Sequence, residues 1–303
     1  LFLGATPQNT PALYSLMNYS GLHQGTYYPI GGFHEIIVAL SKLAKEKGVA
    51  INYNSVVNKI AVSNNEADHL IVNGKKLEFD GVVAAADYHH VEQVLLDKKY
   101  RNYNNEYWEK REMAPSSLLF YVGVDKKLEN IHHHNLFFDE DFDQHAKEIY
   151  DEPNWPKNPL FYLSCPSITD TTVAPKGEEN LMFLIPLAPG LQDNNEMREK
   201  YFKIVLERLK KLTGNDIKNN IVYKKSYCVN DFKEDYNAFK GNAYGLANTL
   251  RQTAIFKPSM RNNSIKNLYY TGQLTVPGPG VPPSIISGQI VAQEIDKQLK
   301  KAS

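Results

Sequence analysis

LYYTGQLTVPGPGVPPSIISGQIVAQEI, residues 268–295, sets an aromatic strand-like run, a Gly- and Pro-rich connection and a helical pattern end to end. Leu268, Tyr269 and Tyr270 have the character of a buried strand. Pro282 and Pro283 are unsuited to a helix interior but fit its first turn, where backbone N–H groups lack intrahelical partners anyway. From Ser284 onward, Ile285, Gly288, Val291, Ala292, Ile295 and Leu299 fall on one helical stripe. Ser284, Gly288 and Ala292 recur every fourth residue, so this face is expected to turn inward and admit something closely. Gly272, Gly278 and Gly280 would let the backbone approach a ligand without a Cβ in the way. The helix N-terminus beyond them, with its unpaired N–H groups and positive dipole end, suits an electron-rich group. The plainer alternative is tight packing of strand, turn and helix on a neighbour.

With 303 residues the chain exceeds a typical domain, and one large or two intertwined domains are expected. Its 34 basic and 34 acidic side chains cancel, which leaves counterion-release binding to nucleic acid little to work with. Cys165 and Cys228 cannot form a disulfide framework. They sit beside apolar residues, as core thiols do, and point to a reducing compartment. No apolar run approaches the roughly 20 residues needed to span a bilayer. The opening residues LFLGATPQNTPALYSLMNYSG lack the features of a secretory signal and read as the interior of a longer protein.

Along the chain, Thr10 and Pro11 are expected to open a short helix through Met17. An amphipathic helix follows TYYPIGG, from Phe33 to Lys47, ended by Gly48. Turns at Asn64-Asn65 and Asn73-Gly74 join β-branched runs into hairpins, and GVVAAAD, residues 81–87, reads as a buried strand ending in an acid. Beyond residue 98 the texture becomes aromatic. SSLLFYVGV, NLFF, PLFYLSCPS, NLMFLIPL and IVYKKSYCV are five strand candidates for a mixed sheet, flanked by a long helix from about Asn195 to Leu212. The expected class is α/β in two domains. Residues 26–97 and 258–303 form the first domain; 1–25, a helical segment, and 98–257 form the second.

Other constellations carry little chemistry. His132, His133 and His134 are consecutive, but only alternate residues of an extended run share a face, and no Cys or Glu stands at ligand spacing. No metal is expected. Asp139, Glu140, Asp141 and Asp143 read as a solvated loop or helix start. GNAYGL, residues 241–246, lacks the Lys-Ser/Thr tail of a phosphate loop. Neither Gly-x-Ser-x-Gly nor His-Glu-x-x-His occurs, which weakens hydrolase and metalloprotease readings. An aromatic middle domain beside a Gly-rich helix start suits a large apolar ligand held against a cofactor.

Taken together, four stretches in order resemble the carotenoid branch of the flavin amine oxidase superfamily, the bacterial and fungal type of phytoene desaturase. They are YPIGGFHEIIVALSKLAKEKGVAINYNSVVNKI, PSITDTTVAPKGEENLMFLIPLAP (166–189), FKEDYNAFKGNAYGLANTLRQTAIFKP (232–258) and NLYYTGQLTVPGPGVPPSIISGQIVA. The resemblance covers nearly the whole chain and implies its C-terminal place in such an enzyme. It implies a discontinuous Rossmann-like FAD domain and a substrate domain. Gly272 and Gln273 would pass the flavin, Gly278 and Gly280 would let the loop close on the ring, and Val281, Pro282, Pro283 and Ser284 would start a helix directed at its N1/O2 edge. Val57 would meet the adenine, with Ala86 and Asp87 nearby. The implied activity removes hydrogens from C–C bonds of phytoene, with hydride transfer to FAD; a carotenoid isomerase or saturase, or a non-catalytic lipid-binding module, is the alternative. Asp231 and Tyr236 are the only general-base candidates, and both suit structural roles better. Such an enzyme would work in the cytoplasm, docked on the membrane surface without spanning it, with the aromatic stretches around Trp108 and Trp155 as contacts. Two departures stand out. The Gly-x-Gly-x-x-Gly fingerprint is absent from these residues, so the FAD site is incomplete in this chain. Lys257 precedes Pro258 where the family commonly has Arg.

Overall fold

The computed structural model describes residues 4–302; Leu1–Leu3, where the first helical segment was expected to begin, lie outside the described residues. Two compact units interleave in sequence. One comprises the described N-terminus to Pro11, Tyr53–Pro115 and everything from Asn230 onward; the other comprises Ala12–Asn52 and Ser116–Val229.

In the first unit, Val57–Ser63, Glu66–Val72 and Lys75–Glu78 form an antiparallel sheet. Its turns need positive φ at both central residues, and Asn64 and Asn65 take 51° and 60°, Asn73 and Gly74 48° and 78°, conformations that Asn and Gly tolerate best. Val82–Ala84 pairs in parallel with Leu268–Tyr270. Asn267 secures the approach: its side-chain oxygen accepts from Ala67 N at 2.7 Å, and its amide donates to Ala67 O at 3.1 Å and Asp80 O at 2.9 Å. Tyr270 stacks on Tyr88 with ring centroids 4.0 Å apart, in a core shared with Ile60, Val91, Leu95, Trp108 and Leu274. The Tyr270 hydroxyl donates to the buried Glu92 carboxylate at 3.1 Å and accepts from the Asn262 amide at 2.9 Å. Glu92 also accepts from Asn102 N at 2.7 Å and Tyr103 N at 3.0 Å.

The second unit is built on five strands in the order His134–Phe137, Phe161–Ser164, Glu179–Leu187, Ser116–Val124, Ile221–Tyr227. All five expected strands are present, but every neighbour pair is antiparallel, so the sheet is not mixed in sense. An alternating or apolar run marks a strand without revealing which way its neighbour runs. The helix Asn195–Thr213 buries Tyr201, Phe202, Val205 and Leu209 against this core. Asn194 caps its start by accepting from Met197 N, and Gly214, at φ 81°, closes its end. Burial pushes the Cys165 and Cys228 thiols up to about 12, far from thiolate reactivity.

Several expectations need correcting. Residues 26–52 fall in the unit with 116–229, while 98–115 and 230–257 fall in the other. The reasons are local bonds: Gly31 N donates to the Asp170 carboxylate at 2.7 Å, and Tyr28 meets His133 edge-on. Likewise Ala114 N donates to Gly245 O at 2.8 Å, and Gln252 exchanges hydrogen bonds with the Glu112 backbone. Thr10 caps nothing; its hydroxyl donates to Thr6 O, and the helical run continues from Ala12 to Gln24. The helix His34–Glu46 forms, yet none of its residues is buried. Trp108, proposed as a membrane contact, is 0% exposed among the rings of Tyr88, Tyr103 and Phe239. Trp155 packs on the second unit's core and donates from Nε1 to Gln192 O at 2.9 Å. Trp108 is therefore not available to a bilayer, while Trp155 is partly exposed.

Glu92 supplies a test of the first unit. Desolvation outweighs its hydrogen bonds and raises its pKa from 4.5 to about 7. The folded state therefore binds the proton more readily than the unfolded one. The stability this contributes is complete below about pH 4.5 and is lost as pH rises through about 7. Glu92→Gln places an amide N–H against a backbone N–H that the carboxylate accepted, which should destabilise by about 1–3 kcal/mol. Because Gln does not titrate, the melting-temperature gap between wild type and variant should narrow from pH 5 to pH 8. A gap that widens instead would overturn the assignment.

Candidate functional site

Parallel strands leave a sheet at the same end, and ligands of α/β folds bind beyond the carboxyl ends of such strands. Here Val82–Ala84 continues into Ala85-Ala86-Asp87, and Leu268–Tyr270 into Thr271-Gly272-Gln273. Thr271 N donates to Ala84 O at 3.0 Å, which carries the pairing one step further. Gly272 lies at φ 104°, and a Cβ there would face Ala85 O at 3.7 Å. Thr275 folds back, donating from N and Oγ1 to Gly272 O at 3.1 and 2.9 Å. The connection then passes Gly278 at φ 134° and Gly280 at φ 113° before the C-terminal helix, Val281–Ala302. Ser284 N donates to Gly280 O at 3.0 Å, the first turn of that helix.

One buried hydroxyl ties helix, strand and loop together. Ser287 Oγ donates to Ser284 O at 2.7 Å, accepts from Gly272 N at 3.0 Å and lies 2.7 Å from Thr271 Oγ1. The fully buried helix positions are Ser287 and Val291. Of the expected stripe, Val291 is buried and Ser284 and Gly288 face the cavity, while the rest departs from it. Ala292 is exposed, as are Ile285 and Leu299. A Cβ added at Gly288 would meet nothing within 4 Å, because Gly288 borders an open cavity rather than a packed neighbour.

That cavity, about 590 Å³, lies between the strand ends and the helix, within the range of small-molecule and cofactor sites. Of the residues expected at the site, Ala86, Asp87, Gly272, Gln273 and Ser284 line it together. Gly278, Gly280, Val281, Pro282 and Pro283 belong to the adjoining loop and helix start without lining it, and Val57 packs on the unit's core. Tyr236 is a lining residue; Asp231 is not. Phe232, Ala238, Asn242 and Ala243 were not anticipated. The last two come from the GNAYGL run. Gly245 N donates to Asn242 Oδ1 at 2.6 Å, and a Cβ at Gly245 would crowd Gln273 O at 3.2 Å. Two glycines and an Asn in six residues mark a tight turn, which was the available signal.

The electrostatics are uneven. Asp87 caps the short helix Tyr88–His90 by accepting from His90 N at 3.1 Å and also accepts from Phe239 N at 3.3 Å, yet burial raises it to about 6. Desolvation lowers His89 to about 4, so it is neutral at pH 7. Lys257, 6% exposed, has no hydrogen-bond partner for its Nζ, and burial lowers it to about 8. His133 and His134 stack with ring centroids 4.3 Å apart and hydrogen-bond to different partners, His133 Nδ1 with Thr169 Oγ1 at 2.7 Å and His134 Nδ1 with the Tyr162 hydroxyl at 2.5 Å. Among the described residues no His, Cys, Asp and Glu cluster has metal-binding spacing.

These features fit a flavin: backbone open on its Gly272 side, a cavity that a side chain at Gly288 would invade, and a buried ammonium without a partner. The profile of the flavin containing amine oxidoreductase family matches residues 1–296. A carotenoid 3,4-desaturase of Haloarcula japonica is 43% identical over 297 residues, 97% of this chain and 60% of the relative. A zeta-carotene-forming phytoene desaturase of Myxococcus xanthus is 29% identical over 97% of this chain and 57% of its own length. The chain thus spans about 60% of the length of such relatives. Among solved structures, an oxidoreductase from Methanosarcina mazei shares the fold, with TM-score 0.64 and 17% identity over 93% of this chain and 58% of that one. The family match over residues 1–296 and the 43% identity to the Haloarcula relative show that this chain belongs to the flavin containing amine oxidoreductase family.

Proposed function

We propose that this chain supplies part of the flavin site of an FAD-dependent carotenoid desaturase. The observation that carries the reading is the cavity at the ends of the parallel strand pair, bordered by Gly272, Gln273, Ser284 and Gly288, in a chain similar along nearly its whole length to a carotenoid 3,4-desaturase. When bound, FAD supplies the two-electron acceptor that abstraction of hydride from a C–H bond requires. The residues of this chain supply its surroundings. Gly272 and Gln273 present backbone to the cofactor, and the tie through Ser287 holds that backbone against the helix. The helix N-terminus beyond Gly280 contributes its positive dipole end where electron density accumulates. Pro282 and Pro283 have no N–H, so the dipole, more than hydrogen bonds, acts there. Ala85, Ala86, Phe232 and Leu274 line the cavity with apolar surface that excludes water. Of the two residues named as general-base candidates, Asp231 and Tyr236, Tyr236 lies at the cavity wall.

A carotenoid is a long hydrocarbon that resides in bilayers, and the proposed enzyme works from the membrane surface on the cytoplasmic side. No helix among the described residues is long and apolar enough to cross a membrane.

Three measurements test this reading. The flavin-loaded enzyme, given an acyclic carotene and an electron acceptor, should yield a product lighter by pairs of hydrogens with absorbance shifted to longer wavelength. A product of unchanged mass would assign isomerisation instead. The enzyme should float with neutral-lipid liposomes and remain bound in about 0.5 M salt, where charge contacts are screened; release by salt would count against apolar docking. Gly288→Ala should raise stability by about 0.5–1 kcal/mol through helix propensity, whereas Gly288→Leu should fill cavity space and lower flavin content. Gly280→Val should also lose flavin, because φ 113° strains a β-branched residue. Full flavin absorbance in both Gly288→Leu and Gly280→Val would remove the cofactor from this cavity.

A further inference from the structure

We propose that Lys257 is the positive counter-charge for the electron-rich ring of the reduced flavin, held against the Gly278 side of the loop that precedes the C-terminal helix. The inference rests on the flavin reading above. Lys257 follows the 3-10 turn Ala254–Phe256 and precedes Pro258. Its side chain is directed at Gly278: a Cβ built on that glycine would lie 3.2 Å from Lys257 Cε and 3.5 Å from Nζ, with Asn248 Oδ1 at 3.9 Å. Gly278 itself lies at φ 134°, so the backbone passes the lysine at a position that no other residue would occupy comfortably.

A buried ammonium normally has a carboxylate or carbonyl partner, since removal from water penalises the charge heavily. Lys257 is among the described residues' buried polar groups without a hydrogen bond, and it takes no part in the ion pairs seen elsewhere, such as Lys240 with Glu109 or Lys266 with Glu66. Burial alone lowers its proton affinity, to about 8, which leaves it mostly charged at neutral pH. A cation maintained without a protein partner is placed to meet negative charge from elsewhere. Neither Lys257 nor Gly278 lines the cavity, but the loop that the lysine touches at Gly278 borders it through Gly272 and Gln273, and two-electron reduction would make a flavin ring there electron-rich. Helix dipole and ammonium would then act in the same direction from neighbouring positions.

Sulfite provides a test that needs no carotenoid turnover. It adds reversibly to oxidised flavin and leaves negative charge on the ring, so its affinity reports nearby positive charge. In the flavin-loaded holoenzyme, Lys257→Met should weaken sulfite binding about tenfold or more, and Lys257→Arg should stay within about threefold of wild type. Lys257→Gln, which keeps a polar stem, is read in the same way if the Met variant does not fold. Wild-type sulfite affinity in a neutral variant of full flavin content would overturn the inference, as would a wild-type flavin that sulfite does not bleach. A wild-type protein that holds no flavin would instead overturn the reading on which the inference rests.

Discussion

The parallel pairing of Leu268–Tyr270 with Val82–Ala84 is the contact on which the first unit and its cavity depend. Three residues on each side make a short ladder, and its register is secured by side chains. Asn267 bonds backbone groups of Ala67 and Asp80 just before the strand, and Tyr270 joins Tyr88, Glu92 and Asn262 at its end. A slip of one residue would turn Tyr270 to the opposite face and break every one of these contacts. Because the pairing is parallel, both strands end on the same side. Ala85–Asp87 and Thr271–Gln273 are then neighbours as a consequence of strand direction.

The helix start is held by a few polar atoms. Ser287 Oγ accepts from Gly272 N and donates to Ser284 O, so the glycine-bearing loop is anchored at one end although its own residues have few side chains to pack. Positive φ at Gly272, Gly278 and Gly280 lets the backbone make these turns without a Cβ. The charges around it follow from burial: Asp87 and Glu92 are raised, while His89 and Lys257 are lowered. Desolvation is the first cause in all four, which is the signature of titratable groups taken into an apolar core.

Much of the local structure was legible in the residues. Asn73-Gly74 marked a hairpin, Gly214 a helix end, and the aromatic run at 268–270 a buried strand, because each depends on φ preferences or on a period of apolar residues within a few positions. The face of the C-terminal helix was legible only in part, for an equally physical reason. Small residues every fourth position suggest an inward stripe: Ser284 and Gly288 do face the cavity, but Ala292 is exposed and the fully buried positions are Ser287, whose hydroxyl satisfies two backbone groups, and Val291. An indole suits a membrane interface as well as a core, and only its neighbours, such as the rings around Trp108, decide which it meets.

Sequence by itself determined the family, the order of strands and helices, and the chemistry of the segment from Gly272 to Ser284, because glycine, proline and cap residues act on the backbone within one or two turns of their own position. Tertiary structure decided the rest. Phe232, Ala238, Asn242 and Ala243 reached the cavity wall, residues 26–52 joined the second unit, the five-stranded sheet became antiparallel throughout, and Lys257 was buried without a partner under Gly278. Each of these depends on contacts between residues far apart along the chain, and no local preference specifies which distant surface a segment will meet.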